Sequence, residues 1–312
     1  MEEFLKDAEV FLDYSDMKIL RAVSRDETVS IPIIKIFENP KNAGKYLVIL
    51  KERPKALFVV AKLANRISKY FKGAEGKIIY DLFLKAVRMI KDYEDPWIKN
   101  AVFLLLKETI ERKLEESNFE GAASLVSEFQ NYGFKNYFKK ILLVSSELAE
   151  KGDFERAISI INRLGPSAMV NELKTQIYLE WGRRLMDLKD YSSAETQLKE
   201  ALKFATSHDT LSEIHFLLSE IYKKLERFRQ AYDQILKIEP ENPVEEIRLL
   251  RETAKILMEW GKKLEREDKD GALEKYNQAY QIALRIGDIS ISKKAVEKAK
   301  KVVSGSEKIE VN

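Results

Sequence analysis

A short pattern recurs along the C-terminal two thirds of the chain and constrains its fold more than any other feature. It consists of a polar residue, an aromatic residue, two variable positions and an alanine, and the alanines are Ala122, Ala157, Ala194, Ala231 and Ala272. They are spaced 35, 37, 37 and 41 residues apart, and in the last copy a lysine replaces the aromatic residue. Apolar residues follow each alanine at four and seven positions, which places them on one face of a helix. The pattern therefore predicts a series of helical units.

A longer repeated segment supports the same interpretation. The hexapeptide Glu-Trp-Gly-Arg-Arg-Leu at 180–185 returns as Glu-Trp-Gly-Lys-Lys-Leu at 259–264, and the pair uses two of the three tryptophans in the chain. The offset is 79 residues, which corresponds to about two units.

These units resemble tetratricopeptide repeats, helix-turn-helix units with a period of about 34 residues. The best matches are residues 175–208 and 212–245, and the resemblance covers roughly 97–286. Serines replace the family's first-helix glycine at Ser145 and Ser219, and Trp181 stands where the family usually has leucine. The resemblance implies an all-α, right-handed α-solenoid of antiparallel helical hairpins. Its motif residues pack the helices, so it leaves the choice of ligand to the variable surface.

The remaining sequence suggests three regions. Residues 1–95 are expected to form an irregular, basic helical module, and the boundary is placed at Asp95-Pro96 because proline fits the first turn of a helix. Residues 96–303 are expected to form the repeat array with a polar capping helix at its end. Residues 304–312 are expected to form a disordered tail.

The composition argues against an enzyme. The chain has no cysteine and two histidines, and it lacks the glycine-rich strings that cradle phosphates or form nucleophile elbows. His208 and His215 are too few for a zinc site, which needs three or four ligands. Thr210 and Glu213 have the spacing of a capping box and so predict a helix that starts near Asp209. We expect no catalytic residue, no metal and no cofactor.

No segment approaches the ~18 consecutive apolar residues of a membrane span. The acidic start also differs from a signal peptide, so the expected setting is the cytoplasm, with no membrane partner. Abundant lysine and glutamate without cysteine are typical of thermophilic proteins.

The resemblance implies a binding site on the concave wall formed by the first helix of each unit. That wall mixes charged with apolar side chains, as a groove for a peptide or helix of another protein, or of a second copy, would. A neighbouring helix of the same chain filling the groove is an equally open alternative. The family's carboxylate clamp is disfavoured, because Ser146 and Arg183 stand where an asparagine is needed. The candidate groove residues are Lys139, Leu142, Leu143, Ser146, Gln176, Leu179, Glu180, Arg183, Glu213, Phe216, Leu217, Glu220, Lys255, Met258, Glu259 and Lys262.

Charge distribution offers a competing function. Residues 41–91 hold 13 basic and 3 acidic side chains, a net charge of +10, so the rest of the chain sums to −7 against an overall +3. Helical spacing aligns many of these cations into two stripes, which could neutralise nucleic-acid phosphates without reading sequence. Alternatively, the stripes are a solvated face or dock on an acidic protein surface. The polyanion-binding candidates are Lys55, Lys62, Arg66, Lys69, Lys77, Arg88 and Lys91.

Overall fold

A computed structural model describes residues 2–71 and 73–307, and within these ranges it contains helices and turns but no strand. The α-helices are α1 (Glu2–Glu9), α2 (Tyr14–Val23), α3 (Glu27–Glu38), α4 (Ala43–Ile49), α5 (Pro54–Ile67), α6 (Gly73–Ile90), α7 (Pro96–Glu115), α8 (Phe119–Glu128), α9 (Lys135–Glu150), α10 (Phe154–Asn162), α11 (Ala168–Asp187), α12 (Tyr191–Leu202), α13 (His208–Lys224), α14 (Phe228–Ile235), α15 (Pro243–Leu264), α16 (Lys269–Arg285) and α17 (Ile289–Glu307). Two short 3-10 turns lie at Pro40–Asn42 and Gln130–Tyr132. The all-α prediction is confirmed.

The chain forms two compact units, unit 1 (Met1–Phe138) and unit 2 (Lys139–Asn312). In unit 2 each helix packs mainly against its neighbours in sequence, as in α11 with α12, α13 with α14 and α15 with α16. These consecutive hairpins confirm the tetratricopeptide-like arrangement. No helix among the described residues is both long enough and apolar enough to cross a membrane.

The turn inside each hairpin explains the polar residue of the recurring pattern. In three hairpins the first helix ends on a left-handed residue, with φ of 91° at Gly152, 62° at Lys189 and 55° at Glu226. The next residue then caps the second helix, as Asp153 and Asp190 do by accepting a hydrogen bond from the backbone N–H three positions later. Asp153 and Asp190 are thus the N-caps of α10 and α12.

The repeated hexapeptide supplies a close approach between the two helices of a hairpin. A Cβ on Gly182 would lie 2.7 Å from a methyl of Leu198, and one on Gly261 would lie 2.8 Å from the ring of Tyr276. Leu198 and Tyr276 each follow the pattern's alanine by four residues. Where the first helix carries Ser219 instead, its hydroxyl donates to the backbone carbonyl of Ala231 at 2.9 Å. The glycines are therefore required by the bulk of the facing helix.

The second basic residue of the hexapeptide ties one hairpin to the preceding one. The guanidinium of Arg184 donates to the backbone carbonyl of Glu150 at 2.9 Å, and the ammonium of Lys263 donates to that of Glu226 at 3.2 Å. Both cations also lie over the aromatic ring that begins the preceding second helix, within 6 Å of its centroid. The hexapeptide thus satisfies the exposed carbonyls at a helix end.

Unit 1 is organised around one enclosed helix. Helix α5 is buried on nearly every side from Ala56 to Asn65, and it packs against α2, α3, α6 and α7. Its apolar residues Leu57, Val60, Ala61 and Ala64 are buried, and the helix ends at Ile67. Because several helices surround α5, its charged side chains lie against other elements.

Three predicted boundaries can be compared with the helices. Asp95 caps α7 and Pro96 occupies its first turn, but the compact units divide after Phe138, so the domain boundary at 95 stays a prediction. Helix α17 runs to Glu307, and the rest of the predicted tail, 308–312, lies outside the described residues. The predicted capping box at Thr210 is wrong, because the hydroxyl of Ser207 caps α13 by accepting from the Thr210 N–H at 3.2 Å.

Candidate functional site

The predicted groove residues lie on the first helices of the hairpins, α9, α11, α13 and α15, and we call them the first-helix surface. Leu143 is 60% exposed, and Phe216 and Leu217 are half-buried. Leu179 is only 7% exposed and packs in the core beside Leu198, so it presents little to a ligand. Exposed apolar area on this surface is therefore concentrated on α9 and α13.

Ion pairs join neighbouring first helices on this surface. The guanidinium of Arg183 hydrogen-bonds the carboxylate of Glu213 across the α11–α13 junction, and it lies 3.7 Å from the carboxylate of Glu180. Each of these three side chains is a little over 40% exposed. The structure thus brings together three residues that sequence reasoning had nominated separately.

A second set of ion pairs joins α13 to α15. The ammonium of Lys223 pairs with Glu220 and lies 3.8 Å from Glu252, which in turn accepts from Lys255 at 2.6 Å. Lys223 is only 13% exposed. Sequence reasoning missed Lys223 and Glu252, although each lies three positions from a nominated residue and so shares its helix face.

The other groove candidates occupy varied environments. Met258 packs against two core clusters around α16, and Leu142 packs against the core beside α10. Ser146 is half-buried. The exposed ones are Lys139, Gln176, Glu259 and Lys262.

The two histidines are held by different partners. The Nδ1 atom of His208 lies 3.1 Å from the carboxylate of Glu241, and Asp209 lies close enough that the three could share an ion. All three side chains are exposed. The ring of His215 hydrogen-bonds Gln234 on α14 at 2.8 Å, and burial lowers its pKa. The absence of a metal stays a prediction.

The predicted basic stripes lie in unit 1, and four of their side chains pair with carboxylates there. Lys62, only 14% exposed, lies 3.2 Å from Asp13 and pairs with the buried Asp16. Arg66 and Lys69 both approach Glu108 on α7, at 3.7 Å and 3.5 Å.

The remaining members of the stripes differ from one another. Arg88 donates to Glu128 on α8 at 2.9 Å, and Lys55 lies 5.7 Å from the ring centroid of Trp97. Lys77 is exposed, and the backbone carbonyl of Lys91 accepts from the Tyr132 hydroxyl at 3.0 Å. Of the basic candidates between 55 and 69, Lys62, Arg66 and Lys69 thus lie at contacts between helices.

No protein-family profile and no curated protein matches this chain. Among solved structures, a double mutant described as MamA RS-1 ArsTM is 20% identical, with 60% of this chain and 96% of that chain covered and a TM-score of 0.25. BtubC (BKLC) from P. vanneervenii is 14% identical, with 95% and 93% covered and a TM-score of 0.22. The TPR domain of P58(IPK) is 13% identical, with 98% of each chain covered and a TM-score of 0.19. At these values the likenesses assign neither a family nor a function.

Proposed function

We propose that the chain is a non-catalytic scaffold or adaptor whose first-helix surface binds a peptide or helix of another protein. The observation that supports the proposal is the pairing of Arg183 with Glu213 and of Lys223 with Glu252. These ion pairs hold successive first helices side by side, on a surface that also carries exposed apolar side chains such as Leu143 on α9. Such a mixed, preorganised surface suits a short amphipathic segment.

In this proposal, apolar and polar residues have different roles. Leu143 and Phe216 supply contact area, because apolar anchors carry most of the binding free energy at protein interfaces. The charged residues, among them Glu180 and Lys255, orient the segment and exclude wrong partners.

The basic stripes support nucleic acid less well than a protein partner. Phosphates would have to compete with carboxylates that already neutralise Lys62, Arg66, Lys69 and Arg88. We therefore keep nucleic-acid association as the alternative.

The test starts from the full chain and a display library of random peptides. Selected peptides are labelled, and their affinity is measured by fluorescence anisotropy for the wild type and for Leu143→Glu and Lys255→Glu. We expect each variant to weaken binding about tenfold. Leu284→Glu is the matched control, because Leu284 is 53% exposed but lies on the second helix α16.

Two results would contradict the proposal. One is a peptide whose binding is weakened by Leu284→Glu but not by the two groove variants. The other is a labelled oligonucleotide that binds more tightly than any peptide, with a log–log salt slope of about −2 or steeper that is lost in Lys55→Glu/Lys77→Glu. The second result would favour the alternative.

A further inference from the structure

A small cavity in unit 1 lies apart from the surface described above. Its volume is about 290 Å³, and it is bounded by the end of α5, the first turns of α6 and the last turn of α7. Four cations, Lys69, Lys77, Arg112 and Lys113, and one carboxylate, Glu116, lie among its described lining residues. The lining is therefore strongly positive.

Lys113 is the most unusual of these cations. It is only 9% exposed, yet among the described residues no carboxylate lies within 4.0 Å of its ammonium and no hydrogen-bond acceptor reaches it. The face of the Tyr80 ring, 4.3 Å from the ammonium, is its neighbour. Burial, and then the charge of Arg112, lower the pKa of Lys113. Buried charges are normally paired with an opposite charge. The ammonium of Lys113 has no such partner within 4.0 Å among the described residues.

Arg112, the adjacent cation, has only a neutral partner. Its guanidinium donates to the side-chain oxygen of Asn65 at 2.9 Å, and Asn65 is completely buried. The Nε atom of Arg112 and the amide nitrogen of Asn65 are themselves buried without a hydrogen-bond partner. The position thus holds two neighbouring cations with no carboxylate of the described residues within 4.0 Å of either, and the more distant Glu116 is the carboxylate that attracts Lys113.

The rest of the cavity adds to the attraction for an anion. Gly73 and Gly76 place the first turn of α6 at the cavity, and the N-terminal end of a helix favours negative charge. Lys77 is exposed at the same end, and Lys69 lies 3.5 Å from Glu108. Glu116 is exposed and is the one carboxylate among the described lining residues.

We propose that this cavity binds a small phosphorylated molecule, with its phosphate between Lys113, Arg112 and Lys77. A phosphate monoester carries close to two negative charges and three acceptor oxygens, enough to engage several cations at once. The cavity is at the small end of the range for ligand pockets, so the organic part must be small. The rings of Tyr80 and Phe71 line the wall that it would contact. The proposal is independent of the function proposed for the first-helix surface.

The experiment measures thermal unfolding of the full chain with inorganic phosphate, glucose 6-phosphate or AMP, each compared with chloride at equal ionic strength. We expect a phosphate monoester to raise the Tm of the wild type by mass action. Lys113→Met should raise the Tm of the unliganded protein, because it removes an unpaired buried charge, while weakening the monoester about tenfold or more by calorimetry. Lys85→Met is the matched control, since Lys85 is exposed on α6 outside the cavity.

Each outcome decides the proposal. An equal monoester-dependent Tm shift in wild type and Lys113→Met, or no shift in the wild type at millimolar ligand, would overturn it. Binding of an RNA oligonucleotide or a phosphopeptide without binding of any monoester would also overturn it. If Lys113→Met fails to fold, Lys77→Met at the exposed edge is expected to weaken the monoester severalfold, and unchanged affinity there would count against the site.

Discussion

The two compact units use charged residues in different ways. In unit 2 the ion pair between Arg183 and Glu213 joins adjacent hairpins, and both side chains are more than 40% exposed. In unit 1 the ion pair between Lys62 and Asp16 has exposures of 14% and 5%, and no carboxylate of the described residues lies within 4.0 Å of the buried Lys113 ammonium. Exposed pairs contribute little to stability, whereas a buried charge that loses its partner is costly. The contrast therefore lies between the exposed Arg183–Glu213 pair, which joins two hairpins, and the buried Lys62–Asp16 pair, which lies within the packing around α5.

The sharpest test of this contrast is Lys62→Met, which leaves Asp16 buried without its ammonium. Breaking a buried pair typically costs about 3–5 kcal/mol, and we expect a loss of that size at neutral pH by urea denaturation. Burial raises the pKa of Asp16, against the opposing effect of Lys62, so removing Lys62 raises it further. The folded variant then takes up a proton more readily than the unfolded chain, and the cost should shrink as the pH falls toward 4. A matched Arg183→Met variant in unit 2 should lose less than about 1 kcal/mol; equal losses would abolish the contrast.

The next largest effect is expected where α11 and α12 approach closely at Gly182. Gly182→Val should cost about 1–3 kcal/mol, because its side chain would overlap Leu198 on the facing helix. Combined with Leu198→Ala, the loss should be smaller than the sum of the two single losses. Gly44→Val in unit 1 is the control, since nothing lies within 4 Å of the position of its Cβ. Additive losses in the double variant would mean that these two residues do not meet.

A smaller effect, opposite in sign, is expected at the hairpin turns. Lys189 has φ of 62°, a conformation that costs an ordinary L-residue about 1–2 kcal/mol and glycine much less. Lys189→Gly should therefore stabilise the protein by about 1 kcal/mol, seen as a higher urea midpoint. Glu172→Gly, at an exposed position inside α11, should lower stability by about 0.5–1 kcal/mol. A Lys189→Gly protein that is less stable than the wild type would contradict the assigned turn.

The smallest expected effect is a change in pH dependence. Burial lowers the pKa of His215 below 6.5, against the opposing effect of the hydrogen bond that its Nδ1 makes to the side-chain oxygen of Gln234. Unfolded chains then bind more protons, so this residue's contribution to stability is present above pH 6.5 and is lost as the pH falls below it. His215→Gln should give a shallower fall in urea-derived stability between pH 7.5 and 5, with the two slopes matching above pH 8. Identical slopes throughout would show that the imidazole is solvated.

The contrast between the units also explains what the sequence could predict. Hairpin features depend on residues a few positions apart, so the recurring pattern predicted the helical units that Asp153 and Asp190 cap. In unit 1 the ion pair between Lys62 and Asp13 joins residues 49 positions apart. No periodic spacing encodes that distance, and the sequence therefore left three alternatives for the basic stripes: a nucleic-acid site, a solvated face or a docking surface.

The two candidate sites differ in the same way in how far the sequence could predict them. The first-helix surface could be nominated residue by residue, because each repeat carries equivalent positions, but Leu179 was expected at the surface and is buried. The phosphate cavity could not be foreseen, because Lys113 and Lys77 come from different helices. The N-cap Ser207 of α13 was missed because Thr210 and Glu213 have the spacing of a capping box in the sequence.

The hydrogen bonds of Arg184 and Lys263 have a consequence for how such an array can grow. In the intervening hairpin the equivalent position is Ile221, which is completely buried, so the cationic tie recurs at every second first helix rather than at each one. Duplicating the α13–α14 hairpin alone would set an isoleucine at the position from which Arg184 and Lys263 donate. Duplicating about 79 residues would restore the same tie at the new junction. The hydrogen bond from the first helix to the preceding helix end therefore has a period of two hairpins, and lengthening the array by such a pair would preserve it at the copied junction.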